Sequence, residues 1–225
     1  EGGYATYNLI GGNPAVSPPL VSGLGTPSKL PGRYIPVSQG FFVNSSLTGG
    51  NVTFNNDQRI FVRKTSTNST FFRSNNANHS STDDRTESSV KRIRLNFKTP
   101  EGAIRPLLLG FVSDGNATDG FDYGYDAENI DEELPNDATW MINDKNYTTQ
   151  GVGEFDYDKQ YPLGLFLTTA GDVQIDTLEL TDTKIKALDK SLEKQFNFPL
   201  KFITLKYKKT FNWLKEHCQN IITSD

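Results

Sequence analysis

The sequence contains a single cysteine, Cys218, so no intrachain disulfide can form. It has two histidines, His79 and His217, which excludes a Cys-rich zinc site and a His-Glu-x-x-His helix. His79 lies in a polar stretch between Asn78 and Ser80 and reads as a solvated loop residue. His217 and Cys218 are sequence neighbours, and adjacent helical positions diverge by roughly 100°, so they do not face each other as a nucleophile and its base. There is no Gly-x-Ser-x-Gly elbow and no Gly-Lys-Ser/Thr phosphate loop. Apolar runs long enough for a membrane span are missing. The opening Glu1-Gly2-Gly3 is not the basic-then-apolar pattern of a signal peptide, and the lack of an initiating Met suggests a mature piece or a fragment. The formal net charge of −4 gives no reason to expect nucleic acid as a partner.

What the sequence does have favours sheet. Of its 225 residues, 15 are Phe and 9 are Tyr, types that suit a pleated, half-buried surface. The clearest strand is Arg92 to Lys98, where Ile93, Leu95 and Phe97 alternate with Arg92, Arg94, Asn96 and Lys98. Leu107 to Val112 is apolar almost throughout, as in a strand buried on both faces. These two runs predict that Ile93, Leu95, Phe97, Leu107, Leu109 and Phe111 share one core between two sheets. Further strands are expected at Tyr34 to Val43, Val52 to Phe54, Arg59 to Arg63, Trp140 to Ile142, Leu163 to Leu167 and Val173 to Ile175. Residues 1–32 read as an irregular Gly/Pro-rich lead-in, with Tyr4, Tyr7 and Leu9 on one face. Residues 65–89 read as an exposed polar loop. Six Asn-x-Ser/Thr sequons occur, at Asn44, Asn51, Asn68, Asn78, Asn116 and Asn146; in so Asn-, Ser- and Thr-rich a chain they read as chance. The expectation is an all-β fold, an antiparallel β-sandwich of jelly-roll type over residues 1–180.

The character changes after residue 180. Ile185, Leu188, Leu192 and Phe196 recur at helical steps, Phe202 to Tyr207 looks like a strand, and Phe211, Leu214, Cys218, Ile221 and Ile222 return to helical spacing. Nine lysines lie between Lys184 and Lys215. This predicts a helical, Lys-rich C-terminal tail at 181–225 that is not the native ending of the sandwich, the alternative being an appended segment docked on an open sheet edge.

One segment has the composition of a site. Asp114, Asp119, Asp122, Asp126, Glu128, Asp131, Glu132, Glu133 and Asp137 fall within 24 residues. Hard oxygen ligands at short spacing suit calcium, and Asp114, Asp119, Asp122 and Asp126 are the candidate ligands. The EF-hand pattern fails, since counting from Asp114 puts Asp119 where Gly is required and Tyr125 where the bidentate Glu belongs. The competing reading is an acidic surface whose Asp and Asn residues make turns. Trp140, Tyr123 and Tyr125 are the candidate aromatics for stacking on a sugar ring, against a competing role as core or strand-face residues.

Several stretches, taken in order, carry a resemblance. They are Arg33 to Val43 (Arg-Tyr-Ile-Pro-Val-Ser-Gln-Gly-Phe-Phe-Val), Val52 to Asn56, Phe71-Phe72-Arg73, Arg92 to Asn96, Leu108 to Phe111, Asp119 to Asp126, Trp140 to Asn143, Gln150 to Gly153 and Pro162-Leu163-Gly164. Over residues 4–180 the chain resembles a module of large secreted and cell-surface proteins of the Bacteroidetes type, often adhesin-like cargo of type IX secretion. Ser38 stands where that module's motif has Gly, and the tail after Glu179 departs from it. The resemblance implies a β-sandwich in a longer exported protein, with no catalytic residues to carry over. The function expected is a non-catalytic structural or adhesive module, secreted or on the cell surface, beside neighbouring domains and with a surface glycan or protein as ligand. The alternative is a carbohydrate-binding module stabilised by calcium, and a weaker one is a glycoside hydrolase using acidic-loop carboxylates.

Overall fold

The computed structural model describes residues 3–16, 27, 29–43, 45, 47–61, 90–131, 134–156, 159–169, 171–180 and 203–207. They form an all-β chain of ten strands: β1 Thr6–Tyr7, β2 Gly12–Asn13, β3 Lys91–Lys98, β4 Ile104–Phe111, β5 Ala127–Glu128, β6 Asn136–Ile142, β7 Lys145–Val152, β8 Tyr161–Leu167, β9 Gln174–Leu180 and β10 Ile203–Tyr207. The expected sandwich-like character is present, with a finer topology than the sequence suggested. Instead of two antiparallel sheets packed face to face, the described residues form one eight-stranded mixed sheet, ordered β10-β8-β6-β7-β4-β3-β9 with β5 added beside β7, and a separate two-stranded antiparallel ribbon of β1 and β2. The pairs β4–β7 and β8–β10 are parallel and the others antiparallel. The sheet curls until the faces of β3 and β8 meet over a common core.

That core holds all six residues predicted for it, Ile93, Leu95, Phe97, Leu107, Leu109 and Phe111, together with Trp140, Tyr147, Leu163 and Leu165. Alternation explains β3, where every second side chain faces inward. In β4 the other face is covered as well: Leu108 joins Ile10, Val112 and Ala117 in a second, outer cluster. The hairpin between β6 and β7 turns on Asn143 and Asp144, both with positive φ (49° and 62°), the geometry a two-residue loop needs to match strand twist.

The N-terminal segment is a cover for the sheet's outer face. Gly110 of β4 and Gly151 of β7 are register partners. A Cβ on Gly110 would lie 2.3 Å from Ile10 Cγ2, and one on Gly151 would lie 3.1 Å from Ile10 Cδ1. The two bare backbones thus make the seat into which Ile10 drops, and any side chain there would expel it. Polar bonds fix the same segment: Asn13 Nδ2 donates to the carbonyls of Pro106 (3.1 Å) and Thr148 (3.3 Å), and Arg94 donates to the carbonyl of Gly12. Of Tyr4, Tyr7 and Leu9, expected on one face, Tyr7 is partly buried while Tyr4 and Leu9 are about half exposed.

The strands expected at Tyr34–Val43 and Val52–Phe54 are not formed, and of the run expected at Arg59–Arg63 the described part, residues 59–61, is not a strand either. Pro36 has no N–H to give a ladder, and Ser38 takes φ 69° while Gln39 N donates to Pro36 O at 3.0 Å. This is a turn with a left-handed third residue, the place where Gly is least strained. Ser38 occupies it here. A 3-10 turn at Asn56–Gln58, closed by a capping box from Asn55, interrupts the later run. In the tail, the strand expected at Phe202 to Tyr207 is present as β10, in parallel register with β8 from Ile203↔Tyr161 to Tyr207↔Leu165. The helices expected at residues 182–197 and 211–222, and the polar loop at 65–89 with His79, lie outside the described residues.

Candidate functional site

The acidic segment runs from the end of β4, past β5, towards β6. Its carboxylates do not gather. Asp114 Oδ1 accepts from Asn116 N at 3.0 Å, and Asp122 Oδ2 accepts from both the backbone N (2.6 Å) and Oγ1 (2.8 Å) of Thr118. Asp126 accepts from the backbone N–H groups of Asp122 (2.6 Å) and Gly151 (2.8 Å). Asp119 holds Lys159 Nζ between its two oxygens, each at 3.0 Å. Among the described residues no three acidic, imidazole or thiol groups converge where they could hold a metal ion. The four candidate calcium ligands thus lie apart in this arrangement: Asp114 and Asp122 accept from donors within the loop, Asp126 also reaches Gly151 of β7, and Asp119 is paired with Lys159.

Asp126 is the one whose environment shifts it. Burial pushes its carboxyl up, and the two backbone donors and the neighbouring Asp122 charge leave it at about 6. The folded state then binds the proton more tightly than the unfolded chain. The group's contribution is complete below the unfolded value of 3.8 and is lost as pH rises through about 6. Relative to Asp126→Asn, the wild type should lose on the order of 1–3 kcal/mol of stability between acid and neutral pH. Urea titrations of both proteins across that range check this; parallel stability curves would sink it.

A second group of charges is buried. Arg105, 2% exposed, forms a two-pronged bond with Asp137 (Nε–Oδ1 2.8 Å, Nη2–Oδ2 2.8 Å) and donates a third hydrogen bond to Asp131. Burial works against its charge, but the two carboxylates outweigh this and hold its pKa above the ordinary arginine value. Asp131 in turn accepts from Tyr4 N at 2.8 Å. Both carboxylates are thus committed to one guanidinium, and Asp131 also ties down the N-terminal cover.

The three predicted stacking aromatics separate. Trp140 is fully buried in the core, so no sugar can reach it, and the expectation for it is corrected. Its Nε1 has no hydrogen-bond partner among the described residues. Tyr125 is partly buried against the outer cluster, with its Cβ close to Gly151. Tyr123 alone is open, 57% exposed, and it meets Phe121 edge-on at 4.8 Å.

Beside this loop lies an open cleft of about 210 Å³, lined by Asp119, Met141, Gln150, Lys159, Tyr161 and Pro162. The Asp119–Lys159 pair is well exposed and belongs to its rim. Gln150 is 2% exposed, and its Oε1 has no hydrogen-bond partner among the described residues. Burial, with Asp119 and Asp156 nearby, pushes the Tyr161 phenol up to about 12, so it keeps its proton across the neutral range. Among the described residues one carboxylate, Asp119, lines the cleft; glycoside hydrolysis uses two facing ones about 5–9.5 Å apart. Sequence reasoning missed Gln150, Lys159 and Tyr161 as site residues. The signal that was there is the run Thr148-Thr149-Gln150, polar side chains buried in a central strand.

No curated protein and no solved structure matches the chain. A family model does match, over residues 1–189, and the chain belongs to that family, described as a domain of unknown function (DUF8693).

Proposed function

We propose that this chain is a non-catalytic adhesive or structural module of a secreted or cell-surface bacterial protein. The observation that carries the reading is the run of large apolar side chains left in solvent between Tyr34 and Phe61. Val37 is 80% exposed, Phe42 79% and Phe61 94%, with Ile35, Phe41, Val43, Val52, Phe54 and Ile60 all more than half uncovered or close to it. Edge-on contacts link Phe41 to Phe54 (6.2 Å) and Tyr4 to Phe42 (5.5 Å). Apolar surface on this scale is costly in water and is characteristic of faces that meet another protein. The occupant it suits is a protein surface, either the ligand or a neighbouring domain. The same run carries part of the resemblance to adhesin-like surface modules, and the carboxylates of the acidic loop are engaged in turns rather than poised for catalysis.

The test uses the fluorescently labelled full chain on intact bacterial and epithelial cells. Saturable binding is expected, and Phe42→Ser with Phe61→Ser should abolish it while leaving the melting temperature unchanged. Turnover of nitrophenyl glycosides or esters above the buffer rate, or binding indifferent to both substitutions, would overturn the proposal.

A further inference from the structure

We propose that the loop from Thr118 to Asp126 and the middle of the N-terminal segment, Asn8 to Gly11, lift from the sheet as one body, and that the Asp126 carboxyl is the latch which releases them as the medium passes from acid to neutral. The latch is built at Gly151 of β7. One oxygen of Asp126 accepts from the Gly151 N–H at 2.8 Å and the other from the Asp122 N–H at 2.6 Å, so a single side chain ties its own loop to the sheet. Gly151 is also half of the Ile10 seat. A Cβ placed there would lie 2.7 Å from Tyr125 Cβ and 3.1 Å from Ile10 Cδ1, so loop, N-terminal segment and sheet meet at this one residue. Two further bonds join loop to segment: Leu9 N donates to Gly124 O at 2.8 Å, and Asn8 Nδ2 donates to Tyr125 O at 2.7 Å. The ends of the segment are held elsewhere, Tyr4 by Asp131 and Asn13 by the carbonyls of Pro106 and Thr148, so the release is confined to its middle.

The surroundings of the latch set the direction. The ionisable groups around Asp126 are Asp122 and Tyr123 of the same loop, Glu128 of β5 and Tyr147 of β7. Lys145, at the start of β7, lies 3.8 Å from Glu128. The segment from Gly3 to Val16 contributes no charged side chain, only the phenols of Tyr4 and Tyr7. Among the described residues, then, no cation pairs with Asp126, while its burial and the Asp122 charge outweigh the pull of its two N–H donors. In acid the carboxyl is neutral and the loop lies against β7. Once ionised it needs water, which reaches it when the loop lifts from Gly151. Leu9 then loses the Gly124 carbonyl, and Ile10 leaves a seat it shares with Leu108, Val112 and Ala117. An apolar surface of the sheet is thereby opened at neutral pH and closed in acid.

Amide exchange of the ¹⁵N-labelled full chain between pH 5 and pH 8, each rate divided by its intrinsic value, provides the experiment. Leu9 and Gly151 should exchange faster than Phe97, whose amide in the centre of β3 reports opening of the whole fold. Their opening constants should rise about tenfold between pH 5 and pH 7 and then level off, as a carboxyl at 3.8 when released and about 6 when latched requires. Asp126→Asn, neutral throughout, should flatten that rise. The ¹³C shift of the Asp126 carboxyl in the wild type gives a second measurement that needs no variant, and its midpoint should coincide with the levelling of the exchange profile. Leu9 and Gly151 exchanging at the rate of Phe97 would mean that no separate lifting occurs, and the proposal would fall. So would a rise that survives Asp126→Asn, opening constants that do not change with pH, or a carboxyl midpoint below pH 5.

Discussion

Arg105→Met should lower the unfolding free energy by about 3–5 kcal/mol, because it strands two buried carboxylates. Asp137 and Asp131 are 6% and 7% exposed at their side chains, and Arg105 is the cation paired with both. Removing it leaves them either to ionise unpaired or to take up protons that the unfolded chain does not hold at neutral pH. Arg105→Lys keeps the charge but cannot reproduce the two-pronged bond to Asp137, so it should fall between wild type and Arg105→Met. The loss should also reach the N-terminal cover, since Asp131 holds Tyr4 N at 2.8 Å. Urea midpoints with an unchanged m-value measure the first effect, and faster amide exchange at Ile10 reports the second. A loss under about 1 kcal/mol for Arg105→Met would mean the triad contributes little to holding the fold.

Phe97→Ala should cost a similar amount, about 3–5 kcal/mol, for a different reason. Phe97 is fully buried on the inward face of β3, in the cluster that joins β3 to β8 across the curl. Truncation there leaves a cavity between two halves of one sheet, which the backbone cannot close without unbending. Phe42→Ala, at a side chain 79% exposed, should by contrast change stability by less than about 0.5 kcal/mol. Equal effects at the two phenylalanines would show that the faces of β3 had been misassigned.

The sequence was legible where one face of a strand settles its burial. Ile93, Leu95 and Phe97 alternate, Leu107 to Phe111 is apolar on both faces, and both strands lie where those patterns put them. β7 was not legible. Asn146, Thr148, Thr149 and Gln150 have no apolar alternation to mark a strand, yet they form the middle of the sheet because Ile10 and Asn13 cover it from the far end of the sequence. Ile35 and Val37 looked like a strand face, but the intervening Pro36 and the left-handed Ser38 turn the backbone away from any ladder. Crowding of Asp residues suggested a metal, and crowding says nothing about which donor each carboxylate meets. The site residues depend on distant pairing: Asp119 and Lys159 come together only after β6, β7 and β8 are in register. Trp140 attracted a surface role through its ring, and register with Leu163 places that ring inside.

The strand order has a consequence for the sequence of synthesis. Among the described residues the two outermost positions of the sheet are taken by β9 and β10, the last two strands in chain order. A chain emerging during synthesis can therefore assemble β3, β4, β6, β7 and β8 first, from the centre outward. Until Gln174 to Leu180 arrives, the growing molecule carries the bare rim of β3, with its unpaired N–H and C=O groups facing outward. Ile10, made long before its seat between Gly110 and Gly151, waits through most of that interval. The emerging chain is therefore most vulnerable to strand pairing with its neighbours just before β9 and β10 are delivered.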